Sequence, residues 1–397
     1  MVDQRFVAGR PEDVGIDSER LEAVFARAQR DVDDGTLPSA QVAVARHGRL
    51  AGMRTFGAAV QGGERRPATD ETLYCIFSCT KAVVAAAVWQ LLEEGKLRLD
   101  ERVAEIIPEF ATNGKDAVTV EQVLLHTAGF PYAPYHPDGW RDHDKRLEAF
   151  SRWRLTWEPD SRWEYHATAA HWVLVEILER RTGVEFRRYI RDRVTGPLGL
   201  DDLYVGLPDE QRGRVAVVEW VGDRDKPPPG GWGEVTPEAI ERFAEPSRWD
   251  VGLPGGGGIA GAGELALFYQ ALINGGANHD GTRILKPETI AFATEVRTDP
   301  SRHKDATGTP VLRGLSIVIA GDDGQSHMRG LGRTVSPRAF GHDGAGGQIA
   351  WGDPETGISL GYCTNGFLDW LSVGRRVTAV SSLAAVCAAE AEVPARR

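Results

Sequence analysis

Residues 77–96 read FSCTKAVVAAAVWQLLEEGK, and this stretch constrains the fold more than any other. The run AVVAAAVW has no polar face, so a helix made of it must be buried all round. Lys81 opens that run, and Ser78 stands three residues before it. At a helix start this spacing puts both side chains on one face, about a turn apart. A serine hydroxyl becomes a nucleophile only when a base takes its proton, and lysine can do so once burial or nearby positive charge lowers its pKa. The N–H groups of a first helical turn favour an alkoxide and disfavour an ammonium, which pushes both groups in the useful direction.

A plainer reading competes with this one. A serine cap before a buried helix occurs in any α/β protein, and Ser301-Arg302-His303-Lys304 repeats the pattern inside RTDPSRHKDATGTP, where no apolar helix follows. Two further segments bear on the choice. Trp163-Glu164-Tyr165-His166-Ala167 precedes TAAHWVLVEILERR, so Tyr165 comes from a helix boundary where a side chain can face a cleft, and a tyrosinate near a lysine ammonium is a credible general base. Read alone, it is one aromatic in a tryptophan-rich stretch. Phe340-Gly341-His342-Asp343-Gly344-Ala345-Gly346-Gly347 precedes the strand QIAWGD. Glycines at a strand edge let backbone approach a ligand, and an N–H there can complete an oxyanion hole with that of Ser78.

The remaining pattern gives an organisation. After Asp17-Ser18-Glu19, with the serine as cap, LEAVFARAQRDVDDG has helical spacing. SAQVAVARHGRLAGMRTFG reads as a hairpin turning at His47-Gly48. From about Arg98 to Pro254 the chain is richer in short helices, tryptophan and proline, with DKPPPGGWGEVTP its clearest exposed loop. Beyond Gly255-Gly256-Gly257-Gly258 come the helix GELALFYQALINGG, two strands in QIAWGDPETGISLGYCTN, and the terminal helix VGRRVTAVSSLAAVCAAEAEV. The expected division is a mixed lobe from 1–97 and 255–397, both chain ends together, and a helix-rich lobe from 98–254.

The chain has 397 residues, a formal net charge of -11 and a pI near 5.5, which disfavours nucleic acid or an anionic membrane as the main partner. Cys75, Cys79, Cys363 and Cys387 show no zinc spacing and read as free thiols of a reducing compartment. With neither an apolar signal segment nor a membrane-length run, a cytoplasmic protein is expected. His136, Asp138, Asp142, His143 and Asp144 crowd into YAPYHPDGWRDHDKR, but they are expected in a polar loop without an element to fix ligand geometry, so no metal and no cofactor is expected, and Pro131 to Trp140 is expected to form a loop at the cleft's edge. Eight of the eleven tryptophans fall between Trp140 and Trp249; most are expected in the core, with one or two lining an apolar pocket.

The order of Ser78-Cys79-Thr80-Lys81, Tyr165 and His342-Asp343-Gly344 resembles the serine β-lactamase and penicillin-binding-protein superfamily, and more closely its esterase branch, the family VIII carboxylesterases. Supporting stretches include VTVEQVLLHTAGF, GPLGLDDLYVG and PGGGGIAGAGELALFYQAL. The resemblance implies an α+β, β-lactamase-like fold: a lobe with a largely antiparallel sheet flanked by the terminal helices, an α-helical lobe, and the active site between them. It implies Ser78 as acylated nucleophile, Lys81 as its proton partner, Tyr165 as the base that activates water, and Ala345 as donor of the second oxyanion N–H. The family's lysine-threonine-glycine triad maps to His342-Asp343-Gly344.

Two departures narrow the chemistry. Penicillin-recognising members carry asparagine where this chain has Ala167, and lysine where it has His342, so an amide for an acylamino side chain and a permanent cation for a carboxylate are both absent at these positions. A neutral ester or lactone is the expected substrate, with a small opening if His342 is protonated at mildly acidic pH. Acyl transfer, amide or β-lactam hydrolysis, and a non-turnover penicillin-binding role are the alternatives on the same chemistry. Self-association into a homo-oligomer is left open.

Overall fold

His47 and Gly48 both take left-handed backbone, at φ 52° and 78°, as a tight two-residue hairpin turn requires. The hairpin expected there forms from Ser39–Arg46 and Arg49–Gln61. In this computed structural model, residues 2–221, 236–367 and 370–389 are described. The hairpin belongs to an eight-stranded sheet in the order Glu64–Pro67, Arg49–Gln61, Ser39–Arg46, Ile358–Thr364, Ile349–Gly352, Phe340–Asp343, Ile317–Ile319, Arg313–Gly314. All its pairings are antiparallel. Ser39–Arg46 pairs with Ile358–Thr364, from Ala40 opposite Thr364 to Arg46 opposite Ile358, so the two chain ends meet in mid-sheet.

Ser39–Arg46 is buried along nearly its whole length, Ser39 and Gln41 included, because helices cover both faces of the sheet. Val42 and Val44 face the helices Ser18–Asp33 and Trp370–Ala385, against Leu21, Val24, Phe25, Val377 and Val380. Ala43 and Ala45 join the other core, with Leu265, Ala266 and Tyr269 of the helix Ala262–Ile273. That helix lies so close that a Cβ on Gly361 would meet the Ala262 carbonyl oxygen at 2.0 Å. The first helix is capped by Asp17, whose carboxylate accepts the Arg20 N–H at 2.9 Å; Ser18 is its first helical residue, not the expected cap.

A second sheet, in the order Leu203–Val205, Gly258–Ala260, Leu73–Phe77, Val215–Ala216, joins residues from the tryptophan-rich middle of the sequence to the strand that leads into Ser78. The helix Thr80–Glu93 follows, with every side chain from Thr80 to Leu91 buried, and packs against the helix Ala169–Thr182. Trp89 closes its far end by donating its indole N–H to the Leu315 carbonyl at 3.1 Å. Of DKPPPGGWGEVTP, only Thr236 and Pro237 lie within the described residues; Thr236 caps the helix Pro237–Ala244.

Candidate active site

Ser78 is presented by a strained turn. Phe77, last residue of its strand, has φ +44°, a conformation that costs a bulky residue about 1–3 kcal/mol and persists only where its surroundings enforce it. Here they do. The Phe77 ring packs edge-on to Phe367 at 5.2 Å, and Thr80 donates its hydroxyl to the Phe77 carbonyl while accepting the Gly258 N–H at 2.8 Å. The helix begins at Thr80 with Cys79 at its N-cap, so Ser78 stands just outside the helix and not in its first turn. Cys79 donates its thiol to the His342 carbonyl at 3.2 Å, tying this turn to the triad strand.

Lys81 and Tyr165 converge on the serine. The Lys81 side chain has no exposed surface; its Nζ reaches Ser78 Oγ at 3.4 Å, the Ala167 carbonyl at 2.7 Å and the Gly255 carbonyl at 2.5 Å. An ammonium has three protons, and three acceptors meet it. A Cβ on Gly255 would lie 2.7 Å from the Ala167 oxygen and 3.3 Å from Lys81 Nζ, so glycine is what lets that carbonyl in. Tyr165 donates its hydroxyl to Ser78 Oγ at 2.9 Å, and Lys81 Nζ lies 4.9 Å from its ring centroid. Burial pushes the Tyr165 phenol up, with the Arg313 guanidinium pulling it partly back. Burial thus favours the phenol over the phenolate, in keeping with the hydroxyl as donor to Ser78.

The triad lies alongside. A Cβ on Gly344 would sit 2.7 Å from the Ile76 carbonyl oxygen, so glycine brings this strand's end against the turn that carries Ser78. Neither the N–H of Ser78 nor that of Ala345 meets an acceptor among the described residues, as two N–H groups kept for a substrate oxyanion would require. His342 is buried; its Nδ1 donates to the Asp343 carbonyl at 2.8 Å and its Nε2 faces Arg313 at 3.4 Å. Burial first, then the cations of Arg313 and Lys81, hold its pKa well below the usual histidine range. The charged imidazolium is disfavoured here, which works against the opening left for a protonated His342.

Arg313 escaped the sequence reading. Its guanidinium is 5.4 Å from the ring centroids of both Trp163 and Tyr165 and it is 7 % exposed; the Asp343 carboxylate acts on it from a distance, but no carboxylate lies within ion-pair reach among the described residues. No motif marks it. It reaches the site because Arg313 lies opposite Val318 and Val318 lies opposite Gly341, next to His342. A permanent cation thus stands beside the triad after all.

Other expectations resolve differently. Asp142 caps a helix, His143–Arg152, so His143 and Asp144 are helical and not in a loop, and the five residues of the polar segment do not assemble. His143 instead meets Glu176 and Glu179, two carboxylates already paired with Arg146 and Arg180. Tyr132, on the loop expected at the cleft's edge, donates to Glu164 next to Tyr165. A cavity of about 550 Å³ beside that loop contains none of Ser78, Lys81 and Tyr165 in its wall. Trp140, Trp153, Trp172 and Trp249 are core residues, whereas Trp163 is the one beside Tyr165 and Arg313. Ser301 hydrogen-bonds Asp299 in an exposed turn and Lys304 is exposed, so the second Ser-x-x-Lys is idle. All four cysteines are free and buried. Among the described residues, no helix is long and apolar enough to cross a membrane.

Residues 24–380 match the beta-lactamase family. The chain belongs to that family. Within the beta-lactamase family it is similar to the esterase EstB of Burkholderia gladioli, 30% identical over 300 residues that cover 69% of this chain and 73% of EstB. Its fold is that of a family VIII carboxylesterase crystal structure, with a TM-score of 0.78, 26% identity, and coverage of 93% of this chain and 99% of that one. A penicillin-binding protein homologue from Caulobacter crescentus is similar too, with a TM-score of 0.77, 29% identity, and coverage of 93% and 99%. The fold is the mixed α/β arrangement of this family, as expected from the resemblance.

Proposed function

We propose that the protein hydrolyses carboxylic esters, lactones included, through an acyl-enzyme on Ser78. The observation that carries this reading is the convergence of Tyr165 at 2.9 Å and Lys81 at 3.4 Å on Ser78 Oγ. Acylation starts from the Tyr165–Lys81 pair with one proton lost: Ser78 Oγ bonds to the acyl carbon, its proton passes to that pair, and the pair returns it to the departing alcohol oxygen. In deacylation the Tyr165–Lys81 pair, short of one proton, takes a proton from water, the hydroxide attacks the acyl carbon, and the Ser78 ester bond breaks as that proton passes to Ser78 Oγ, giving the acid. The N–H groups of Ser78 and Ala345 would hold the oxyanion in both steps, and Gly344 brings the second within reach. His342 and Asp343 would line the same wall, with His342 neutral throughout.

Similarity to EstB and to a family VIII carboxylesterase supports ester hydrolysis. A second reading rests on Arg313. A buried guanidinium without a carboxylate partner is costly, and a substrate that brings its own carboxylate would offset that penalty. This favours an anionic ester, or the carboxylate-bearing amides and lactams that a penicillin-binding protein homologue calls to mind, over the neutral ester expected from His342 alone. A panel of neutral and carboxylate-bearing p-nitrophenyl esters, run on the wild type, Ser78→Ala and Tyr165→Phe, tests the proposal. Both variants should lose on the order of 10⁴-fold or more in turnover, and activity surviving in Ser78→Ala contradicts it. Added alcohols or amines, with product analysis, separate hydrolysis from acyl transfer.

A further inference from the structure

Tyr165 lies in no helix or strand, yet its hydroxyl must be held within tenths of an ångström. The helix Val120–Leu125 ends at His126, which takes left-handed backbone at φ 59° and ψ 32°. Asparagine, aspartate and histidine visit this region more readily than other side chains. The turn aims two polar groups of His126, its carbonyl and its Nδ1, at one tripeptide. Its carbonyl accepts the Glu164 N–H at 3.4 Å, and its ring Nδ1 accepts the His166 N–H at 3.2 Å. The residues before and after Tyr165 are thus both fastened to His126, whose ring lies 5.0 Å from the Tyr165 ring.

The fastening is stiff. The His166 ring donates from Nδ1 to the Glu164 carbonyl at 2.7 Å and accepts the Phe130 N–H at Nε2 at 3.1 Å. Burial pushes its pKa down to about 3, which keeps that arrangement neutral. His126 is fully buried, and burial, then the Arg313 cation, lower its pKa, in keeping with Nδ1 as the acceptor of the His166 N–H. We propose that His126 is the positioning residue for Tyr165: its left-handed turn clamps Glu164 and His166 and thereby sets the hydroxyl against Ser78. This inference rests on the reading of Tyr165 as the base of an acyl-enzyme. Because deacylation depends on Tyr165 aligning a water with no leaving group to assist, loosening the clamp should slow that step more than acylation.

The test compares wild type, His126→Asn, His126→Ala and His126→Phe on a p-nitrophenyl ester, with active sites titrated and with intact mass recorded during turnover. Asn tolerates the left-handed turn and offers an oxygen near the place of Nδ1; Ala and Phe offer no acceptor. The Ala and Phe variants should lose about 100-fold in kcat, the effect of a misplacement near 1 Å, and should accumulate an acyl adduct on Ser78. The Asn variant should stay within about threefold of wild type, with no adduct. Wild-type turnover in Ala or Phe overturns the inference, as does a loss without accumulated adduct or an Asn variant as slow as Ala. If Ala and Phe do not fold, the Asn variant decides alone, and a loss beyond about tenfold overturns the proposal. Activity surviving in Ser78→Ala would instead remove the underlying reading, whatever the His126 variants do.

Discussion

Tyr165 donates its hydroxyl to Ser78 Oγ across 2.9 Å, so in the resting enzyme the residue read as a base is acting as a donor. On the proposed acyl-enzyme reading, the group of Ser78, Lys81 and Tyr165 has to give up one proton before Tyr165 can act as a base.

Gly255 offers a local test of that arrangement. Its carbonyl is one of the Lys81 acceptors, and a Cβ there would collide with the Ala167 oxygen, which is another. Gly255→Ala should lower kcat about 10- to 100-fold, with Tm falling by only a few degrees. Unchanged kinetics in a folded Gly255→Ala protein would show that the carbonyl pair does not hold Lys81 in place.

Arg313 should set selectivity. Removing a charge-assisted hydrogen bond costs about 1.5–3 kcal/mol, so Arg313→Ala should reduce the ratio of kcat/KM for a carboxylate-bearing ester to that for its neutral analogue about 10- to 100-fold. Taking the ratio at one pH cancels any change in Tyr165, whose phenol the guanidinium also pulls down. A ratio that does not move argues that Arg313 serves the protein and not the substrate.

His342 should be silent in the pH profile. Burial and Arg313 keep its pKa far below the usual histidine value near 6.5. Between pH of about 5 and 8, the profiles of wild type and His342→Gln should run parallel. A step near pH 6 in the wild type, missing in the variant, contradicts this.

How much of this was legible beforehand depended on how local each signal is. The His47-Gly48 turn and the apolar helix after Lys81 are written in consecutive residues, and both form as read. Ser78, Lys81 and Tyr165 were legible because short motifs carry them, and their order marked them out from the idle Ser301–Lys304 copy. The cap of the first helix was misread because Asp17 and Ser18 are adjacent and both can cap; only the extended backbone of Asp17 decides. Arg313 and His126 stayed silent for a different reason. Arg313 comes from a two-residue strand and meets His342 only through sheet register, and the role of His126 lies in a backbone turn that points two groups across the chain.

Glu264 predicts a pH-dependent stability away from the site. It is buried in the helix Ala262–Ile273, its Oε2 has no hydrogen-bond partner among the described residues, and burial pushes its pKa up from 4.5 to about 8. The folded state therefore holds a proton that the unfolded state releases above pH 4.5. Stability falls as pH rises from about 4.5 to about 8, by about 1.4 kcal/mol per unit at most, and levels off above. Glu264→Gln should remove that slope, raising Tm at pH 8 more than at pH 5 in thermal melts. Equal Tm differences at both pH values contradict the assignment.

The central claim is a covalent one, that Ser78 carries the acyl group. Intact-mass spectrometry on protein quenched in acid during turnover of a p-nitrophenyl ester, followed by peptide mapping, reads it directly. The account predicts a mass gain of one acyl group on the peptide containing Ser78, prolonged in Tyr165→Phe and absent in Ser78→Ala. Ester cleavage with no adduct in either the wild type or Tyr165→Phe, or an adduct that persists in Ser78→Ala, would contradict it.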